Sequence, residues 1–507
     1  MAMLWIALHL PALSLESFAA TLGAARQVLP LALLQGQRVA AVNGVAAQSG
    51  VQPGFKRATA LALAPQLRFG QADAARDAQA LRAVAHAAMA FTPMVTLDTS
   101  AGLPCVLLEV QGSLRYFGGL AALQRRLRAA LLPLGFGCRM ASASTALGAT
   151  LLARWRTGFE LGAQARDLGR LGTLLDEAPV GLLGAGQAHR EALRAMGLHT
   201  LGDLRRLPRG GLARRFGEAL LAELDRARGD APDPREPVLP PPVFDEGCEL
   251  FERADSAAPL MHGAGLLLAR LVAWAQARQG RVGGFTLALR HEARHRGDDS
   301  VPERTELRLA LAAASNDPAH LQLLLRERLS RLALPAPTLA LHLHCHELQH
   351  GVAAHGELFP TAASAQEGLL RLIERLQARL GPQQVLQPLP CQDHRPERGT
   401  HWQPVGPSGR TRLAAATPVA VQPLTRPVWL LPQPQPLPER QSRPLLDGRA
   451  LQLLAGPERI ESGWWDGTPA ARDYFIAQAH DGALVWLYRA RLPLAQQEGW
   501  FLHGRFG

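Results

Sequence analysis

Two short, nearly continuous apolar runs, residues 3 to 10 and Cys105 to Val110, are too brief for helices and predict buried strands. Between them the pattern changes period. Pro11 to Gly23 has the apolar spacing of a short helix, and Asp73 to Ala90 is a longer, alanine-rich one. Val39 to Gly54 opens with alanines suited to a helix and closes at Gly50 and Pro53-Gly54, a turn. After Cys105–Val110, glycines at 112, 118 and 119 punctuate the chain, and Leu120 to Leu132 resumes a helical period with arginines on one face. Strands and helices in this alternation predict an α/β or α+β sheet domain.

From about Leu168 the pattern becomes short helices separated by glycines. Leu182-Leu-Gly-Ala-Gly-Gln-Ala-His-Arg-Glu-Ala-Leu193, followed by Met196 to Leu204, has a helix-hairpin-helix pattern. Such glycines allow a tight turn whose amides can face a phosphate; a plain glycine-turned helical hairpin gives the same letters. Prolines between 231 and 245 then predict an extended linker. Met261 to Gln279 and Leu321 to Leu332 read as helices, and Gly284–Leu289, Glu306–Leu311 and Thr338–His346 as strands. Two helices on a small antiparallel sheet is the economical arrangement. After a further helix at Gln366 to Leu380 the chain is proline-rich through Pro444, predicting a second linker, and its tail alternates again. There Trp464, Trp465, Tyr474, Phe475, Trp486 and Tyr488 can build a small β core or a docking surface.

The expected organisation is therefore a multidomain α+β chain. Its parts are 1–165, a helical hairpin region 166–232, a linker 233–245, an α/β domain 246–385, a Pro-rich linker 386–444, and a β-rich module 445–507. Length and composition agree, with 507 residues, 47% hydrophobic and 19% charged. A net charge of +11 and a pI near 10.6 favour a polyanionic partner. Lys56 is the single lysine, so nearly all of this charge is arginine, which forks onto phosphate. Between Gly186 and Gly229 nine arginines face five acids. The five cysteines are scattered without a C-x-x-C pair, which argues against a disulfide framework or structural zinc. Without a basic leader or an apolar run of about 18 residues, the expectation is a cytoplasmic protein with no membrane partner.

Four stretches carry a resemblance: Glu109-Val-Gln-Gly-Ser-Leu-Arg-Tyr-Phe-Gly-Gly119, Asp393-His-Arg-Pro-Glu397, Gly456-Pro-Glu-Arg-Ile-Glu-Ser-Gly-Trp-Trp-Asp-Gly467 and Gly499-Trp-Phe-Leu-His-Gly504. With the order of elements, they make the chain resemble Y-family translesion DNA polymerases. The resemblance extends over nearly the whole chain to the polymerase-like members of bacterial damage-inducible (SOS) mutagenesis cassettes. It implies palm and fingers over 1–165, a helix-hairpin-helix thumb over 166–232, a little finger over 246–385 and a partner-recruiting module over 445–507.

Against that family, the departures fall on the chemistry. The resemblance places Ala7 where the first metal-binding aspartate belongs, with His9 two residues on and Glu16 retained beyond it. Pro104 and Cys105 fall on the later Asp-Glu pair; a gapped alignment would bring in Asp98, but Thr99 follows it. Gly44 and Ala47 match the Tyr and Arg that hold the triphosphate, and Ala146 and Leu147 match an Asn-Lys pair. Two-metal nucleotidyl transfer needs converging oxygen ligands and positive groups around the phosphates, and these side chains supply neither. The expectation is no metal, no cofactor and no nucleotide site.

The retained frame implies DNA binding through the hairpin at Gly184 and Gly186 and through Arg190, Arg205, Arg206, Arg214 and Arg215. The resemblance also implies binding to the β sliding clamp by a peptide ending in an apolar pair. His355-Gly-Glu-Leu-Phe359, with Leu358 and Phe359, is the better candidate; Gln322-Leu-Leu-Leu325 fits the letters comparably. A RecA-like protein and an error-prone C-family DNA polymerase are the further implied partners. The leading expectation is a non-catalytic adaptor. Its rivals are an active polymerase with a rearranged metal site using Asp98 and Glu109, and a general basic nucleic-acid binder.

Overall fold

The computed structural model describes residues 3–22, 28–99, 103–155, 164–165, 167–292, 302–350, 362–406, 426–491 and 498–506. It divides into two compact units, Met1–Gly368 and Leu369–Gly507. The first opens with β1 (Trp5–His9), α1 (Leu13–Phe18), β2 (Leu31–Gln35), β3 (Arg38–Val42), α2 (Gly44–Gln48), α3 (Arg57–Leu63), β4 (Arg68–Gln71) and α4 (Ala74–Ala88). It continues with β5 (Val95–Asp98), β6 (Cys105–Glu109), α5 (Leu114–Phe117), α6 (Leu120–Leu131), β7 (Arg139–Ala143), α7 (Ala146–Trp155) and β8 (Gln164–Ala165).

β1 is central in a five-stranded sheet ordered β5-β6-β1-β7-β8, antiparallel except between β7 and β8. All its residues are buried, as a strand covered on both faces requires, which is why it reads as an unbroken apolar run. On one face Leu4, Ile6 and Leu8 share a core with Val84 of α4 and Leu123 and Leu127 of α6. On the other, Trp5, Ala7, Cys105 and Leu107 pack with Ala149, Leu151 and Leu152 of α7.

A smaller sheet, β3-β2-β4, stands beside this one. It corrects the expected helix at Val39, because Val39 and Val42 pair with Leu34 and Ala32 of β2. The helix begins only after Asn43, whose side chain accepts from Ala46 N at 2.9 Å and caps α2.

Short helices follow: α8 (Leu168–Asp176), α9 (Gly184–Ala188), α10 (Arg190–Ala195), α11 (Leu201–Arg205), α12 (Arg209–Phe216) and α13 (Glu218–Arg228). Their leucines, among them Leu171, Leu193, Leu201 and Leu220, join the core that holds Ala7 and Cys105. Thr200 and Asp203 form a reciprocal capping box that starts α11.

Then come β9 (Asp245–Ala254), α14 (Ala257–Ala277), β10 (Gly280–His291), β11 (Arg304–Ser315), α15 (Pro318–Leu329) and β12 (Thr338–His350). The strands form an antiparallel sheet ordered β11-β10-β12-β9, against which α14 packs, with α15 beside it. β9 escaped the pattern because most of it is polar and poorly buried. Among the described residues α14 is long and apolar enough to cross a membrane, but Leu260, Leu267, Leu271 and Trp274 are buried in the protein. Ala269 and Ala273 of α14 belong to the core around α4, and Glu246 accepts from both Gln79 (2.9 Å) and Arg270 (3.3 Å).

The expected linker 233–245 is fastened down. Val238 N donates to Val95 O at 2.8 Å, and Pro241 O accepts Trp274 Nε1 at 2.8 Å.

The helix α16 (Ala362–Leu380) leads into the second unit, which contains β13 (Leu386–Pro390), β14 (Thr400–Pro404), β15 (Trp429–Leu437), β16 (Glu439–Arg440), β17 (Arg443–Leu446) and β18 (Arg449–Ala450). β19 (Gln452–Ser462), β20 (Ala470–Gln478), β21 (Leu484–Ala490) and β22 (Gly499–Arg505) complete it. Five of these strands make an antiparallel sheet, β15-β22-β21-β20-β19. The proline-rich stretch 386–444, expected as a linker, thus contains strands. Prolines suit β15 because it is an edge strand, where a missing N–H breaks no second ladder. Tyr474, Trp486 and Tyr488 are buried as expected, whereas Trp464 and Trp465 are 72% and 59% exposed. The strand expected to include them ends at Ser462, and Gly463 and Gly467, with φ of 84° and 73°, frame a tight tip.

Candidate functional site

Antiparallel pairing of β1 and β6 sets Ala7 opposite Leu107 and His9 opposite Cys105. Pro104 O accepts from Leu10 N at 3.2 Å and lies 3.1 Å from His9 Nδ1. Ala7 and Cys105 thus share one apolar core, both 0% exposed, while half-buried Pro104 stands at the start of β6 beside His9 and Leu10. Burial pushes the Cys105 thiol up to about 12, so it is protonated and a poor ligand near neutrality. Burial likewise holds His9 below its ordinary value.

The charges at this site are paired guanidiniums and carboxylates. Arg154, near the end of α7, donates to Leu103 O and lies 3.7 Å from Asp98, both side chains being almost wholly buried. Asp98 faces Cys105 across the β5–β6 pair and also takes Arg235 at 3.3 Å, while Arg235 forks back to Asp233 at 2.8 Å. The carboxylate offered as a substitute metal ligand is thus engaged by two cations. Glu109 sits at the far end of β6, opposite Trp5, and accepts from Leu4 N and Gln111 N. It stands four positions along the strand from Cys105, about 13 Å of rise, so Asp98 and Glu109 do not converge. Among the described residues no three His, Cys, Asp or Glu side chains are placed to hold a metal ion.

The four nucleotide-pocket positions divide between two places. Ala146 and Leu147 are buried in the first turn of α7, where Ala146 lines a cavity of about 540 Å³ with Trp5, Ser144, Asp167 and Arg226. Gly44 and Ala47 are exposed on α2 and do not line it.

In the hairpin, Gly186 is needed for packing: a Cβ there would stand 2.1 Å from Val180 O. Ala185 N already donates to Glu223 Oε2 at 3.3 Å, and Glu223 also faces Gly184. Of the arginines, Arg205 pairs with Asp176 at 3.0 Å and Arg206 with Asp203 at 3.3 Å. Arg215 lies over the Phe216 ring and Arg214 reaches Gly210 O. His189 packs edge-on against Phe216, the ring that Arg215 covers, and among the described residues Arg190, Arg214 and Arg215 form no ion pair.

His355, Leu358 and Phe359 lie outside the described residues. The competing segment Gln322-Leu-Leu-Leu325 is inside α15, and Leu324 and Leu325 are core residues.

The second unit brings together three of the four resembling stretches. Arg395 forks onto Asp466 and onto Asp393, each at 2.6 Å at its shortest, and stacks by Trp465. Glu397 pairs with Arg472 at 3.0 Å, Arg472 donates to Tyr474 OH at 3.0 Å, and that hydroxyl lies 2.8 Å from His503 Nδ1. Burial pulls His503 down to about 4, against the opposing pull of Glu397. These pairings went unforeseen, although an arginine in an otherwise apolar helix (Arg154) and the clustered charges of 393–397 were visible signals.

No family model matches the sequence. Two curated proteins named Protein ImuB, from Caulobacter vibrioides strains NA1000 / CB15N and ATCC 19089 / CIP 103742 / CB 15, are each 31% identical over 475 residues. The alignments cover 90% of this chain and 100% of each relative. A solved chimera of the Y-family DNA polymerases Dbh and Dpo4 overlays with a TM-score of 0.38 at 16% identity, covering 69% of this chain and 100% of its own.

Proposed function

Because the chain belongs to the ImuB family, we propose that it is a non-catalytic, DNA-binding adaptor in damage-induced translesion synthesis. The observation that carries this reading is the chemistry at Ala7, Pro104 and Cys105: a methyl group and a protonated thiol in an apolar core and a half-buried pyrrolidine ring at the strand's start, beside an Asp98 carboxylate already taken by Arg154 and Arg235. Such a set offers divalent cations no converging pair of carboxylates. DNA binding is supported by the basic composition and by Arg190, Arg214 and Arg215, which form no ion pair among the described residues.

In this reading the adaptor joins primed or damaged DNA to the β sliding clamp through Leu358 and Phe359. Its C-terminal module meets a RecA-like, ImuA-type protein and an error-prone C-family DNA polymerase, which performs the synthesis in the cytoplasm. The exposed Trp464–Trp465 tip, braced by Arg395, supports a docking role for that module.

Primer extension with purified protein, Mg²⁺ or Mn²⁺ and all four nucleotides tests the central claim. No incorporation is expected; template-directed extension would restore the active-polymerase reading. For the clamp, Leu358→Ala with Phe359→Ala should weaken binding at least about tenfold, two apolar anchors being removed. Unchanged clamp affinity would remove that motif from consideration.

A further inference from the structure

The segment 232–244 joins α13 to β9 and contains Pro232, Pro234, Pro237, Pro240, Pro241 and Pro242. So many missing N–H donors leave it unable to build a helix or a ladder, and it must be held by other means. Two side chains reach inward from it. Phe244, at one end, is 1% exposed and packs with Trp274. Arg235, at the other, meets Asp98 at the end of β5, whose second cation, Arg154, comes from α7. Between them the Val238 amide extends the edge of the sheet by bonding Val95 O.

From this geometry we infer that the Arg154–Asp98–Arg235 cluster is a latch. It fastens the 232–244 strap to the first sheet and so fixes where the second sheet, β11-β10-β12-β9, stands against the core around β1. The carboxylate is shared: Arg154 holds it from the helix side, Arg235 from the strap side, and Asp233 holds Arg235 in turn. A buried carboxylate with cations on both sides favours one strap position, because moving Arg235 away strips a charge-assisted bond from a desolvated site. The cavity of about 230 Å³ between strap, α7 and the 182–184 turn is lined by these same charges and would open if the latch were released. Arg235 is here a positioning residue, and the inference stands whether or not the chain binds DNA.

Hydrogen exchange on the intact chain reads the latch directly, at the Val238 amide. Arg235→Gln should accelerate exchange there by about tenfold or more, the worth of one charge-assisted bond, while β1 stays protected. Arg235→Lys, which keeps the charge but loses the fork, should fall between wild type and Arg235→Gln. Arg209→Gln, which breaks the surface pair with Asp225, should leave Val238 unchanged. Asp98→Asn strands Arg154 in the core and can unfold the sheet, so the Arg235 variants decide. Wild-type exchange at Val238 in Arg235→Gln would overturn the latch. So would loss of β1 protection together with that of Val238, since the strap would then not be a separable part.

Discussion

Arg395 and Asp466, 71 positions apart, meet through paired bonds of 2.6 and 3.0 Å, and Asp466 also receives the Thr468 amide and hydroxyl. The Arg395 guanidinium, and then Thr468, hold the Asp466 carboxyl well below the usual carboxylate range. Its folded pKa being depressed, its contribution is complete above the unfolded value of about 3.9 and is lost as pH falls below that. Buried His503 adds an earlier stage. Its pKa of about 4 lies below the ordinary 6.5, so the unfolded chain takes up the proton first and stability falls from pH 6.5 down towards 4. Thermal unfolding of the intact protein, followed by tryptophan fluorescence, should therefore show the second unit weakening in two steps on acidification. Arg395→Met should flatten the lower step and His503→Gln the upper.

Cys105 should resist chemistry that other cysteines accept. With the thiol pushed up to about 12 by burial, it stays protonated and unreached at pH 8, whereas Cys391 is exposed. Brief treatment with iodoacetamide followed by peptide mass spectrometry should label Cys391 and spare Cys105 until denaturant is added. Rapid labelling of Cys105 in the folded protein would mean that the closed core around Ala7 is open in solution.

Gly186→Ala and Gly184→Ala separate packing from phosphate contact in the hairpin. The first drives a methyl into the Val180 carbonyl and should cost about 1–3 kcal/mol of stability, as overpacking does. The second meets the Glu223 carboxylate at 3.2 Å, the end of a side chain that can swing aside, and should be nearly neutral. Urea denaturation distinguishes them; equal losses would show that the Val180 carbonyl is not what demands glycine.

Arg190, Arg214 and Arg215 should matter to DNA more than Arg205 and Arg206, whose charges are partly spent on Asp176 and Asp203. Replacing the first three by Ala should weaken duplex binding and reduce the slope of log K against log salt by roughly 0.9 for each phosphate left without its arginine. A slope unchanged in the triple variant would place the DNA surface elsewhere.

Much of this architecture could be read from residue order. β1 and β6 were foreseen because strands covered on both faces must be apolar throughout, and α4, α6 and α14 because their period is 3.6. The pairing of β1 with β6 that puts Ala7 and Cys105 in one core is not written in either strand alone, because an apolar run does not state its register. β9 and β15 were missed for opposite reasons: one is a polar edge, the other is full of prolines that normally signal a linker. The ion pairs at Asp98 and Asp466 were missed because each depends on a partner dozens of residues away, placed by the fold.

The prolines of β15 also govern the margin of its sheet. Pro432 and Pro434 fall in the irregular stretch between Leu430 and Gln435, and Pro436 in the part paired with β22, so three positions of this edge strand offer no N–H. An incoming strand would find carbonyls there but too few N–H groups to complete a ladder. The sheet is thereby sealed against growth at this margin, so copies of the protein crowded at one place would not zip together through it.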